Sequence, residues 1–363
     1  MSIETPMNRR SFLKGATVVG AAAAATGALG LAGCAPQGKS DAAKGAATTE
    51  SGELILDAET FQNAKWNFEI PPDPIDESKI TNTVECEILV IGAGVGGLVT
   101  AASAVEEGAD VVVIASSSGP VSRGGSNAAF NTRLTHELGL DFTREEIEPI
   151  FQSIFASNSF RLDQEKWWLV FDESGTAMNW LMDKVAPYGI STVIENNQRD
   201  GGTSWWDGGP LKTLNVSHSF VAEGAQAAGA SQQIVVEALA EEITKGGGQI
   251  FYSTTAVQLD REGDNTGRVT GCVAKHDSEY TRYNASKGVV LATGDFSQDK
   301  DMVAKYCPMA LPFGYGGVYD GSGLKLALWI GAAWQKYTPN APMLATMGDE
   351  VLPCRWWAEG ALT

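Results

Sequence analysis

A chain of 363 residues, 44% hydrophobic and 19% charged, holds enough apolar material for one large core or two modest ones, which argues against a wholly disordered protein. Its formal net charge of -18, from 26 Lys and Arg against 44 Asp and Glu, argues against a nucleic-acid-binding surface, which needs clustered cations. Five cysteines (Cys34, Cys86, Cys272, Cys307, Cys354) form no CxxC or CxxCH, and His136, His218 and His276 lack ligand spacing, so a disulfide framework, a metal centre and covalent haem are not expected.

The first 34 residues read as an address. Asn8-Arg9-Arg10-Ser11-Phe12-Leu13-Lys14 precedes an uncharged run rich in Ala and Gly, Ala16 to Gly33. That layout is an export signal. It closely resembles the consensus of twin-arginine translocation, a route that carries folded proteins. Leu31-Ala32-Gly33-Cys34 resembles a lipobox, which implies that Cys34 is acylated and tethers the mature chain to the membrane. An uncleaved anchor, or a chance Cys after small residues, is the alternative. Residues 35–82 read as a linker, polar and small up to Gly52 and stiffened by Ile70-Pro71-Pro72-Asp73-Pro74.

From Cys86 the pattern changes. Glu87-Ile88-Leu89-Val90-Ile91 suits a buried parallel strand. Gly92-Ala93-Gly94-Val95-Gly96-Gly97 follows directly, giving GxGxxG at Gly92, Gly94 and Gly97. Leu98 to Glu107 reads as a helix, Gly108 ends it, and Val111-Val112-Val113-Ile114 is the next strand. In this spacing the first glycine makes the tight turn, the second lets backbone approach a pyrophosphate, and the third lets helix pack on strand. The phosphates then sit at a helix N-terminus, where free amides and the dipole favour an anion. Dinucleotide binding is the reading. One part of the pattern is missing: where an acidic residue should end the second strand and hold ribose hydroxyls, Ala115 is followed by Ser116-Ser117-Ser118. Ser116 or Ser117 is expected to substitute, more weakly because no charge assists the hydrogen bond.

Further segments choose the nucleotide. Gly124-Gly125-Ser126-Asn127 resembles the second glycine pair that lies along pyrophosphate and isoalloxazine in flavoproteins of the fumarate-reductase type. His218 to Gly229 and a helix from Ala230 to Lys245 are similar to that family's segment ahead of its adenine-side strands, and Gln249 to Val257 to the strands themselves, with Val257 at the adenine-facing position. Gly288-Val289-Val290-Leu291-Ala292-Thr293-Gly294 resembles the strand ending in ATGG, with Asp295 in place of the last glycine. Tyr319-Asp320-Gly321-Ser322-Gly323, leading into Leu324 to Ile330, resembles the GDG-helix element.

The resemblance implies FAD as cofactor and an α/β fold: a Rossmann-like parallel sheet with a β-meander over residues 83–335, followed at 336–363 by the start of a capping domain. Expected flavin-binding residues are Gly92, Ala93, Gly94, Val95, Gly96, Gly97, Ser116, Gly124, Gly125, Ser126, Asn127, Val257, Ala292, Thr293, Gly294, Asp320 and Gly321. Family members reduce activated double bonds, as in fumarate or urocanate, or desaturate ketosteroid-like substrates. The chain enters the capping region near Tyr337 and ends at Thr363, before the place of the arginine that handles the proton in the family, so the resemblance carries no catalytic residue over to this chain. A truncated reductase is expected, with a short flavin-binding protein lacking turnover as the alternative. The implied partners are a small-molecule acceptor and a separate membrane or cytochrome electron donor, in a respiratory-type setting outside the cytoplasm. Arg355 is read as a surface or cap residue, and His218 as ordering a loop rather than moving protons. Trp167, Trp168 and Trp180 are read as helix packing, and Trp205-Trp206 as a loop near the site mouth.

Overall fold

The computed structural model describes residues 65–122, 127–194, 216–225, 231–306 and 319–334. The expectations placed on Cys34 and the rest of 1–64, on Gly124, Gly125 and Ser126, on Trp205-Trp206, and on 335–363 with Arg355 lie outside the described residues.

The strands are β1 (Ile80–Ile91), β2 (Val111–Ile114), β3 (Asn127–Ala128), β4 (Ile190–Ile194), β5 (Ser217–Ala222), β6 (Gln249–Phe251), β7 (Thr255–Arg261), β8 (Val269–His276) and β9 (Glu279–Leu291). The helices are α1 (Val95–Glu106), α2 (Arg133–Glu137), α3 (Arg144–Ser157), α4 (Gln164–Val185), α5 (Gln232–Lys245), α6 (Glu262–Asn265), α7 (Lys300–Tyr306) and α8 (Ser322–Trp329).

One six-stranded sheet has the order β6-β2-β1-β9-β8-β7. Pairing is parallel from β6 through β9 and antiparallel among β9, β8 and β7, so a meander closes one side of a parallel sheet. The apolar runs at β1 and β2 follow from burial on both faces. Val90, Val111 and Val113 point into a core with Leu98 and Ala101 of α1 and Val235, Leu239 and Ile243 of α5. Leu89, Ile91, Val112 and Ile114 face the opposite core, with Leu259, Cys272, Ala274, Tyr283 and Leu326. A second sheet, β3-β5-β4, is antiparallel. No described helix is long and apolar enough to cross a membrane.

The linker expected over 35–82 is shorter than its composition implies. Trp66 and Phe68 are buried, packed with Phe296, Met302 and Val303. Trp329 Nε1 of α8 donates to Phe68 O at 2.8 Å, and Lys305 of α7 pairs with Glu69. Two aromatic side chains in an otherwise polar stretch find an apolar seat that only the tertiary fold supplies. Downstream, Arg282 of β9 bonds both oxygens of Glu77, at 2.7 and 2.8 Å, and Asp260 at 3.1 Å. Strand β1 already begins at Ile80, opposite Tyr280.

Trp167 and Trp168 of α4 meet Phe151 at ring-centroid distances of 5.3 and 4.9 Å, inside a cluster with Phe130, Phe155 and Phe171. Trp180 Nε1 donates to Glu106 of α1 at 2.7 Å, and Lys184 pairs with the same carboxylate at 2.8 Å, joining α4 to α1.

Candidate functional site

At the carboxyl ends of β1, β2 and β9 the sheet opens into a cavity of about 540 Å³. This is where an open parallel sheet binds its ligand, because strand ends and helix N-termini converge there.

The floor is the turn from β1 to α1. Gly92 has φ +120, and a Cβ there would lie 2.3 Å from Ala292 O. A Cβ on Gly97 would lie 1.9 Å from Gly92 O. Both glycines are dictated by contacts within the protein. Gly94 is different: its Cβ would meet only Val121 O, at 3.8 Å. The bare backbone at Gly94 faces the cavity and answers to nothing in the described residues that needs the space. Gly94 is also the N-cap of α1, with no side-chain cap and no acidic residue in the first turn. The amides and dipole of α1 are therefore directed at the cavity without an internal anion.

One rim is formed by Ile114 to Ser117 and Thr254 to Ala256. It is held by Thr254 N donating to Ala115 O at 2.7 Å and Ser253 N donating to Ser117 O at 2.8 Å. Ser117 Oγ is committed to Gly119 O at 2.7 Å. Ser116 is exposed on the cavity wall. The other rim is Ala292 and Thr293 with the start of α8. Ala292 N donates to Ile91 O at 2.8 Å, and Asp320 Oδ1 accepts from Ser322 N at 2.9 Å. A Cβ on Gly323 would lie 2.0 Å from Thr293 Oγ1, so α8 seats directly against the end of β9. Asp295, where the family pattern has glycine, accepts from Ser297 N at 2.9 Å and shapes the turn by a side-chain loop.

Of the expected site residues, the cavity gathers Gly92, Ala93, Gly94, Ser116, Ala292, Thr293 and Asp320. Val95, Gly96 and Gly97 form the first turn of α1 beside it. Gly294 (φ +82) and Gly321 (φ +71) shape the turns behind its wall. Asn127 is away from it, donating to Gln232 Oε1 at 3.2 Å and pairing with His218. Val257 does not line it; Thr254, Thr255 and Ala256 do. The reason is direction: β7 leaves the cavity from Thr255, so only its first residues reach the wall. Lining residues that were not among the expected ones include Val121, Thr254, Thr255, Gln298, Tyr319, Ser322 and Leu326. Leu326 had a signal, as an apolar position one turn into the helix after Gly321.

His218 is fully buried on β5. Its Nδ1 lies 2.9 Å from Val216 O, so that nitrogen carries the proton, and Thr132 Oγ1 donates to Nε2 at 2.8 Å. Loss of water lowers its pKa from the ordinary 6.5. It is a neutral cross-tie. Among the described residues no cluster of His, Cys, Asp or Glu is arranged to hold a metal ion.

The model of the FAD binding domain matches residues 87–347, and that of the twin-arginine pathway signal sequence matches 6–26. A digoxin reductase of Eggerthella lenta is 39% identical over 111 residues, 31% of this chain and 16% of that protein. A vinyl phenol reductase of Lactiplantibacillus plantarum is 26% identical over 273 residues, 71% of this chain and 48% of that protein. The fold is similar to a 3-ketosteroid-Δ4-(5α)-dehydrogenase from Rhodococcus jostii, with TM-score 0.56 and 24% identity over 72% of this chain and 57% of that one. It is also similar to a flavocytochrome c3 fumarate reductase in its open conformation, with TM-score 0.54 and 21% identity over 77% of this chain and 47% of that one. The chain spans less than half the length of these two curated relatives.

Proposed function

The chain belongs to the FAD binding domain family, takes FAD as its cofactor and carries a twin-arginine export signal, and on that premise we propose an oxidoreductase of the fumarate-reductase flavoprotein type that reduces a small unsaturated organic acceptor outside the cytoplasm. The observation that carries the reading is the bare Gly94 backbone at the uncapped start of α1, opening on a cavity of about 540 Å³.

The residues present suit the cofactor. Gly92 to Gly97 would take the diphosphate, with the α1 amides as donors. Ser116 would bond ribose hydroxyls in place of the usual carboxylate, since Ser117 Oγ is already engaged. The backbone at Thr254 to Ala256 would border the adenine. Thr293 and Asp320 would stand toward the flavin half, beside the start of α8. When bound, FAD supplies hydride transfer between its N5 and a substrate carbon. The protein's part is to fix the cofactor in an apolar sheet end and keep water from it through Ile91, Ile114 and Leu326.

The acceptor is proposed as an activated alkene, with electrons coming from a separate membrane or cytochrome donor and Cys34 as a lipid tether. Two kinds of relative support the reductive direction: the two curated proteins above are reductases by name. The test is spectroscopic. Protein supplied with FAD and passed through gel filtration should retain a band near ~450 nm, as oxidised flavins absorb. After anaerobic reduction that band should return on adding an activated alkene. If reoxidation follows only oxygen, the reductase proposal fails. If the oxidised protein is instead bleached by a saturated ketosteroid-like substrate, the direction is dehydrogenation.

A further inference from the structure

Resting on the flavin reading above, we propose that the ribose end of this cavity does not discriminate against a 2′-phosphate. Its ligands would then be adenosine diphosphates and dinucleotides with or without that group, and position 116 sets this breadth.

In a glycine-turn site of this kind, a carboxylate at the end of the second strand accepts hydrogen bonds from ribose hydroxyls. The same carboxylate repels a 2′-phosphate, since two anions in contact are costly away from bulk water. Here the end of β2 is Ile114-Ala115-Ser116-Ser117, with Ser116 exposed on the wall. The facing segment, Thr254 to Ala256, is uncharged as well. Asp320 is the one carboxylate among the described lining residues. It follows the β9 end, because Gly321 N donates to Asp295 O. Strand β1 separates β9 from β2 in the sheet, which puts Asp320 about two strand spacings, ~10 Å, from the Ser116 rim.

Near the Ser116 rim, β8 and the turn after it bring Lys275, His276 and Asp277. Thr255 is paired in register with Lys275, whose side chain stands on the face opposite Ala274 with its Nζ over the Tyr280 ring. His276 Nδ1 donates to Ser253 O at 3.0 Å, and Ser253 N in turn donates to Ser117 O at 2.8 Å. Asp277 lies beyond His276, its Oδ2 3.8 Å from Nε2 and its side chain 90% exposed. A phosphate added to the 2′-position would therefore meet hydroxyls before it met a carboxylate. The absence of an acid at the end of β2 thus lowers the selectivity of the site in one direction: it loses an acceptor for the diol and also loses the charge that excludes the phosphorylated sugar.

The experiment is a competition for the flavin site of the full chain, stripped of flavin and titrated with FAD while flavin fluorescence is read. ADP and 2′-phospho-ADP are the two competitors. The wild-type protein should yield inhibition constants within about threefold of one another. Ser116→Glu should still retain FAD but discriminate by about tenfold or more against 2′-phospho-ADP. Ser118→Glu adds the same charge at an exposed position off the cavity wall, and should leave the ratio at its wild-type value. Strong preference for ADP in the wild type overturns the proposal, as does an unmoved ratio in Ser116→Glu or the absence of competition by either nucleotide while FAD binds. A wild-type protein that retains no FAD overturns the flavin reading itself, and this inference with it.

Discussion

Gly94 and Gly97 lie three residues apart and answer to different neighbours. A methyl on Gly97 collides with Gly92 O, which belongs to the same rigid turn. Gly97→Ala should therefore cost ~2 kcal/mol or more of folding stability, because backbone must move to admit it. Gly94→Ala meets no atom closer than 3.8 Å, so its unfolding midpoint should stay within about 0.5 kcal/mol of wild type. Its affinity for FAD should nonetheless fall about tenfold or more, since the methyl occupies the diphosphate's approach. Urea titration beside FAD titration separates the two cases. A common loss of both properties in the two variants would refute the division. His218 gives a second residue-scale test. Burial holds its folded pKa below the 6.5 of a free imidazole, so the unfolded chain binds the proton more readily. Its contribution to stability is complete above 6.5 and is lost as pH falls from there toward the folded value. Urea midpoints from about pH 7.5 to about pH 5 should decline in the wild type, and His218→Gln should lose that part of the slope. The sequence supplied Gly92, Gly94 and Ser116 because each has a fixed offset from the glycine motif. Val257 follows directly on Thr254 to Ala256, the part of β7 and its approach that lines the cavity.

At the scale of elements, α8 is held from two sides. Gly323 lets it rest against Thr293, and Trp329 hangs from Phe68 O of the segment ahead of β1. Phe68→Ala should cost about 3 kcal/mol by emptying an apolar seat. It should also speed flavin loss, because α8 carries Ser322 and Leu326 into the cavity wall. An unchanged off-rate with the expected destabilisation would show that α8 keeps its place without the strap. Elements with strong local signals were legible. Four consecutive apolar residues gave the exact bounds of β2, and Gly108 (φ +79) marked the close of α1. The start of β1 was not. Ile80 to Glu85 is largely exposed, and its strand character comes only from pairing with β9. The β3-β5-β4 sheet was also unread, being assembled from short segments whose partners lie far along the chain.

For the whole molecule, the parallel sheet was legible because strands buried on both faces leave continuous apolar runs, while the meander was expected only through the family resemblance. The thiols illustrate what composition left open. Cys86 is pushed up to about 11 and Cys272 higher still, each chiefly by burial. Strand β9 stands between their strands, so they are two spacings, ~10 Å, apart and beyond disulfide reach. Mass-spectrometric mapping of the exported protein should find both as free thiols, alkylated only after denaturation; a bond between them would require a different sheet order. The sheet order also constrains timing. Residues 80–91 gain their β9 neighbour only from residues 279–291, and the wall that Ala292 lends to Gly92 arrives with it. A ribosome releases the glycine turn nearly two hundred residues before that wall exists, roughly the separation of Gly97 from Ala292, so the nascent turn stays half-built until then. Filling of the flavin site therefore waits on β9, whose end supplies Ala292 opposite Gly92.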